Sequence, residues 1–262
     1  METPSADESA LRRLNAELYD AFGKDAGPTT AFLQWMVDSY GLTCPPRVLD
    51  VGCGTGRMLR EFDRMGWNAV GMEPDVDFLA EAEGFDRQSK PVDVRPGGFN
   101  EIDESDTYDL VVSIDGPFSY LLTVKERAEA LGRIYCALRP GGVVFLDIAN
   151  FLWMLRHFEE FRESSAPLHG RAARRIQHFR LDFHEHLWTQ IDEFQYDDPE
   201  IGPVRLSKTH RCAIVTLPEL RHFLYGTGFD DIHTYASYDA RESQPLTGHD
   251  FLISAQRPCL PD

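Results

Sequence analysis

The apolar run Val48-Leu49-Asp50-Val51 closes on Gly52-Cys53-Gly54-Thr55-Gly56, and a helical pattern from Arg57 to Met65 follows at once. A short apolar stretch stopped by glycines reads as a buried parallel strand. Glycines accept φ > 0 and let a backbone approach a ligand closely. Strand, glycine turn and helix in this order predict the start of a parallel α/β sheet, in which ligands bind at the C-terminal strand ends.

The pattern then alternates. Ala69–Met72 reads as a strand, Val76–Ala82 as a helix and Pro91–Val94 as a short strand. Tyr108–Ile114 reads as a strong strand, Val124–Leu138 as a helix and Val143–Ile148 as an apolar strand. This predicts a Rossmann-like, doubly wound, mostly parallel sheet over residues 45–170. Upstream, Leu11, Leu14, Leu18 and Phe22 space one amphipathic helix. A second runs through Phe32, Trp35 and Met36 after a turn at Lys24–Pro28, giving an N-terminal helical cap over residues 1–44. From Arg175 onward, apolar and polar side chains alternate through three segments up to Val215, predicting an antiparallel β insert over 171–215. A helix at Pro218–Tyr225 and closing strands near Ile232–Tyr238 and Asp250–Ala255 return residues 216–262 to the core.

Composition narrows the partners. With 43 acids against 26 Lys and Arg, the formal charge is −17. Such a surface repels phosphate backbones and anionic lipid, which argues against nucleic acid and membrane as partners. It favours a cationic substrate such as an amine, and it equally serves solubility. Five scattered cysteines without a Cys-x-x-Cys pair argue against a zinc ribbon or a disulfide framework and fit a reducing cytoplasm. The opening Met1-Glu2-Thr3-Pro4-Ser5 carries no apolar stretch of a signal peptide, and no apolar run is long enough to span a bilayer. The expected edge of the insert makes a homodimer plausible.

The chemistry concentrates around the glycines. Their G-x-G-x-G spacing differs from the G-x-G-x-x-G of dinucleotide sites, which disfavours an NAD-dependent dehydrogenase. Asp50 sits badly beside a diphosphate and suits the cationic amino group and sulfonium of S-adenosylmethionine. Glu73, in Gly71-Met72-Glu73-Pro74, closes the second strand, where a carboxylate can accept both hydrogen bonds of a ribose diol. A solvent-facing Glu capping the following helix is the plainer alternative.

Residues 48–56 closely resemble the first motif of class I S-adenosylmethionine-dependent methyltransferases, and Glu73 matches their ribose-binding acid. Tyr108-Asp109-Leu110-Val111-Val112 resembles their fourth-strand motif, and Leu138-Arg139-Pro140-Gly141-Gly142 the turn before their fifth strand. The layout is similar to the small-molecule N-methyltransferase branch, which includes glycine/sarcosine and amino-sugar enzymes. The resemblance implies a cofactor site built from Asp50, Gly52, Cys53, Gly54, Glu73, Pro74 and Ile114, with Tyr19 closing over it. Many members place an Asp before the residue packed on the adenine; this chain has Gly98 there, followed by Phe99 and Asn100. Phe99 can stack on the ring, or serve as an ordinary core aromatic, and Asn100 or Asp93 can accept from its amine. The segment from Ser113 to Tyr120 then passes the transferred methyl. There Asp115 can hold an ammonium or act as base, and Phe118 and Tyr120 can form walls.

Histidines 178, 184 and 186 share parity along the insert and would share a face on one continuous strand, which a turn near Glu185 would break; they read either as plain sheet residues or with one of them, His186 the candidate, as a base. No zinc-type spacing supports a metal. Methyl transfer from a sulfonium needs chiefly alignment and exclusion of water, so no obligatory catalytic residue is expected. The expected function is methyl transfer to a small molecule, nitrogen slightly favoured over oxygen. The alternatives are a peptide or protein methyltransferase and a non-catalytic sensor or subunit that binds the cofactor.

Overall fold

The computed structural model describes residues 6–84 and 93–259. Met1–Ser5 and, of the expected third strand, Pro91 and Val92 lie outside the described residues. The chain divides into two compact units: Asp25–His157 with Ala213–Asp262, and Met1–Lys24 with Phe158–Cys212.

The larger unit is built on a seven-stranded sheet. Its strands are β1 (Arg47–Val51), β2 (Asn68–Glu73), β3 (Asp93–Pro96), β4 (Tyr108–Ser113), β5 (Leu138–Ala149), β10 (Asp230–Tyr235) and β11 (Asp250–Gln256). They lie in the order β10-β11-β5-β4-β1-β2-β3. The strands from β5 to β3 run parallel, whereas β11 is antiparallel to both β5 and β10. Register sets Asp50 opposite Gly71 of β2 and Val112 of β4, so the strand ends carrying the glycine turn, Glu73 and Ser113 meet along one edge.

Helices cover both faces, as the strand alternation predicts. On one face Leu131 and Ile134 of α5 (Val124–Ala137) and Leu220 and Leu224 of α7 (Leu217–Thr227) pack on Val111, Val144 and Leu146. On the other, Phe32 and Met36 of α2 (Ala26–Ser39) and Leu59 and Phe62 of α3 (Arg57–Arg64) pack on Val48, Leu110 and Phe145. The helix starts have local causes. Asp75 accepts from Asp77 and Phe78 at the head of α4 (Val76–Glu83), and Thr123 and Glu126 form a reciprocal capping box on α5. Asp25 caps α2, so Gly27 and Pro28 fall in its first turn rather than in the expected turn before it; proline is tolerated there because that N–H has no helical partner.

The smaller unit joins α1 (Ala6–Ala21) to a four-stranded antiparallel sheet, β6 (Phe161–Leu168), β7 (Arg171–Asp182), β8 (Leu187–Asp198) and β9 (Gly202–Ala213), in chain order. Leu14 and Leu18 of α1 bury against Ala173, Phe194, Tyr196 and Val204. Thus α1 and α2, adjacent in the chain, belong to different units. The sheet begins one strand earlier than the alternation predicts. Phe161-Arg162-Glu163-Ser164-Ser165-Ala166-Pro167-Leu168 carries proline and charge, as edge strands do, and so lacks the apolar signal of a central strand. A short α6 (Phe151–Arg156), capped by Asn150, also had no sequence signal. Among the described residues no helix is long and apolar enough to cross a membrane.

Candidate active site

The glycine turn is clamped to the second strand. Gly52 and Cys53 both donate their backbone N–H to the Met72 carbonyl, at 2.8 and 3.1 Å. The Cys53 side chain fills the space over Gly71, where a Cβ would come within 2.7 Å of its sulfur. Burial pushes the Cys53 thiol well above its usual range, so it stays protonated and offers the site only backbone. Gly54 stands at φ 58° with no heavy atom within 4 Å of where a Cβ would be, leaving its backbone open to a ligand.

Glu73 reaches back to this turn. One carboxylate oxygen accepts from Gly54 N at 2.8 Å, the other from Asp75 N at 2.9 Å, and the side chain is 6% exposed. It therefore faces the turn rather than solvent, against the plainer alternative of a solvent-facing cap.

Asp50 lies beneath the turn, 2% exposed. Burial pushes its carboxyl up to about 7; the Arg57 charge opposes the rise, and the nearby Glu73 and Asp115 charges add to it. Arg57 forms an ion pair with Asp115. Asp115 thus already pairs with a cation from its own chain. Asp115 and Gly116 both adopt left-handed backbone, at φ 64° and 87°, and Asp115 N donates to Asp147 Oδ2 at 3.3 Å. Tyr238 donates to the same oxygen at 2.8 Å. Neither Arg57 nor Asp147 was singled out from the sequence, although a lone acid inside Val143-Val144-Phe145-Leu146-Asp147-Ile148 is a visible signal.

At the end of β3, Gly97 N donates to the Glu73 carbonyl at 3.2 Å, which ties the next loop to the acid. Phe99 is buried, edge-on to Phe118 at 5.5 Å, and Asn100 Oδ1 is a buried acceptor with no donor among the described residues. Ile114 is buried and Pro74 exposed. Phe118 is fully buried in the core under α5, so it forms no wall of an open site. Tyr120 sits in a single 3-10 turn before α5 and is 46% exposed.

The two remaining candidates lie in the smaller unit. Tyr19 has its ring 6.4 Å from that of His210, with Lys208 Nζ 5.7 Å above it. His186 is exposed at the tip of the β7–β8 hairpin at φ 54°, and His184 is 94% exposed beside it. The hairpin turn breaks the continuous strand on which histidines 178, 184 and 186 would share a face, and an exposed tip supplies nothing to orient a base. Among the described residues no group of three potential ligands can hold a metal ion.

Residues 48–142 match the family described as Methyltransferase domain. The ubiquinone biosynthesis O-methyltransferase of Rhodopseudomonas palustris (strain HaA2) is 28% identical over 153 residues, which cover 57% of this chain and 57% of that protein. The match thus spans little more than half of that relative's length. An S-adenosylmethionine-dependent methyltransferase from Clostridium acetobutylicum superposes with a TM-score of 0.80 at 14% identity, covering 96% of this chain and 99% of the other. A sugar N-methyltransferase from Streptoalloteichus gives 0.72 at 20% identity, covering 92% and 91%. At these identities the likeness speaks for the fold, including its inserted sheet.

Proposed function

We propose, from the match of residues 48–142 to a methyltransferase domain, that this chain is an S-adenosylmethionine-dependent methyltransferase that transfers a methyl group to a small molecule, with nitrogen as the preferred acceptor atom. One observation carries the reading: the acid that closes β2 turns back onto the Gly54 backbone, beside a position open to a ligand. The chemistry of the donor set fits the cofactor. Glu73 would hold the ribose hydroxyls, and the Asn100 amide oxygen, buried without a donor among the described residues, suits the exocyclic amine of adenine. The turn Gly52-Cys53-Gly54, open at Gly54, would lie against the amino-acid portion, with Asp50 as counter-charge and Pro74, Phe99 and Ile114 at the margins.

When bound, S-adenosylmethionine supplies a methyl group already activated on a sulfonium. The chain's own work is to align the acceptor and exclude water. Asp115, fixed by Arg57 and by its backbone bond to Asp147, positions the turn that faces the acceptor. A neutral amine needs little beyond alignment, whereas a hydroxyl needs a base. Among the described residues, the carboxyls of Asp50, Asp115 and Asp147, the Arg57 guanidinium and the Tyr238 hydroxyl meet around this turn. That set supplies carboxylate counter-charge for an amine acceptor, which is the ground for preferring nitrogen. Tyr120 and His186 receive no role in this reading.

Incubation with radiolabelled cofactor and matched panels of small amines and alcohols or phenols tests it. Label in the amine products is expected. Label in hydroxyl products alone would move the acceptor atom to oxygen, and tight binding without transfer would make the chain a sensor. Glu73→Ala is expected to weaken cofactor binding in calorimetry by roughly 1.5–3 kcal/mol. Glu73→Gln, which keeps one acceptor for Gly54 N or Asp75 N, should lose less. An unchanged dissociation constant in both would remove Glu73 from the site.

A further inference from the structure

Three residues beyond Asp147, the C-terminal end of β5 opens on a crevice of about 590 Å³. Phe151, Val215, Leu217, Leu246 and Phe251 make its walls apolar. Trp153 adds a flat face, fixed in place: its indole stacks on the His157 imidazole at 4.1 Å and 29°, and its backbone N–H donates to Asn150 Oδ1 at 3.3 Å. Asn150 in turn donates to the Gly248 carbonyl at 3.0 Å, and His157 Nδ1 lies 2.8 Å from the Trp153 carbonyl. His157 Nδ1 therefore carries its hydrogen toward that carbonyl, which leaves Nε2 as the ring's outward nitrogen.

Arg156 is the one charged side chain lining the crevice among the described residues. Arg156 and His157 line the crevice, and no carboxylate does among the described residues, in a chain where acids outnumber bases 43 to 26. Arg156 has no acidic partner among the described residues. A guanidinium offers a fork of donors that matches a carboxylate.

We propose that this crevice binds the distal part of the methyl acceptor, and that this part is a flat apolar ring carrying a carboxylate. The proposal rests on the methyltransferase reading and adds the substrate class. Three strand residues from Asp147 span roughly 10 Å, about one small molecule from the Asp115 turn, so the acceptor atom and the anionic group sit at opposite ends of the ligand. The acceptor is then a molecule with its nucleophile at the acidic turn and its negative charge at Arg156.

The test uses the full chain and two probes of the same shape, phenylpropanoate and phenylpropylamine, titrated by calorimetry and by tryptophan fluorescence. The carboxylate is expected to bind about tenfold or more tighter than the amine, on the strength of a charge-assisted contact in a semi-enclosed site. Arg156→Glu is expected to abolish that preference while leaving calorimetric binding of S-adenosylmethionine unchanged. Trp153→Phe should remove the fluorescence response and retain the heat. Equal or tighter binding of the amine, no saturable binding of either probe, or a preference that survives Arg156→Glu would overturn the proposal. If the preference holds but the wild-type protein fails to bind S-adenosylmethionine, the methyltransferase reading fails and the carboxylate-binding crevice stands without it.

Discussion

Asp50→Asn is expected to gain stability over the wild-type protein as the pH is raised from 5 to 8, and to lose affinity for a cationic cofactor over the same range. The carboxyl is buried, and its folded-state value of about 7 stands above the ordinary 3.8. The folded protein therefore holds this proton more tightly than the unfolded chain does. For this group stability is greatest below pH ~4, declines as the pH climbs toward 7, and is level above that. A rise of that size is worth on the order of 4 kcal/mol, offset in the variant by a buried amide whose unmet hydrogen bonds cost about 1–3 kcal/mol. Other carboxylates push the opposite way: Glu104 and Glu126 are held below their usual range with hydrogen bonds contributing, Asp182 by backbone N–H groups. The informative quantity is thus the difference between variant and wild type in urea titrations at each pH, which cancels those groups. A difference that stays flat from pH 5 to 8 would mean that Asp50 is ionised at little cost. Binding supplies the second arm. A sulfonium and an ammonium favour the ionised acid, so wild-type affinity should rise as the pH passes through about 7, up to tenfold per pH step below it. The Asn variant should bind weakly at every pH. Together the two arms identify Asp50 as a buried charge kept at the expense of stability for the sake of a cationic ligand.

The sequence made Asp50 and Glu73 visible because their signals are local: a strand ends in apolar residues, glycines follow, and an acid closes the next strand. Parallel pairing then fixes where those ends meet, since Asp50 lies opposite Gly71 and the turn bonds to Met72. What stayed hidden was set by contacts distant in the chain. Asp115 reads as an available acid until Arg57, 58 positions away, is seen to pair with it. Phe118 reads as a pocket wall from its place after β4, but its ring turns into the core. Strand β6 was missed because an edge strand tolerates proline and charge in place of an apolar run. For the histidines of the insert, parity places side chains on one face only while a strand continues, and the turn that the sequence signals near Glu185 forms at 183–186 and ends it. The grouping of α1 with the inserted sheet depends on Leu14 and Leu18 meeting Phe194 and Val204, pairs separated by far more chain than any periodicity covers.

Gly52→Ala is expected to cost about 2–5 kcal/mol of folding stability, and two separable causes account for it. Gly52 stands at φ 78°, where an L side chain costs roughly 1–2 kcal/mol. Its added Cβ would also lie 2.5 Å from Pro117 Cβ and 2.6 Å from Pro117 Cγ. Those atoms belong to a ring bonded to the backbone at both ends, so they cannot swing aside, and overpacking of this kind costs typically 1–3 kcal/mol. Gly54→Ala is the contrast. It shares the backbone conformation, at φ 58°, but nothing lies within 4 Å of its Cβ, so only the conformational cost of roughly 1–2 kcal/mol remains. The order of the two variants reverses for the ligand. If the cofactor lies against Gly54, the methyl group that is harmless to folding intrudes on the ligand, and Gly54→Ala loses more affinity than its stability loss explains. A double-mutant cycle isolates the clash: Pro117→Gly removes both contacting atoms, so combining it with Gly52→Ala should recover the overpacking share and leave the conformational one. Simple additivity of the two substitutions in urea melts would show that Pro117 moves out of the way at no cost. The floor of the glycine turn would then be softer than its 2.5 Å approach to that ring implies.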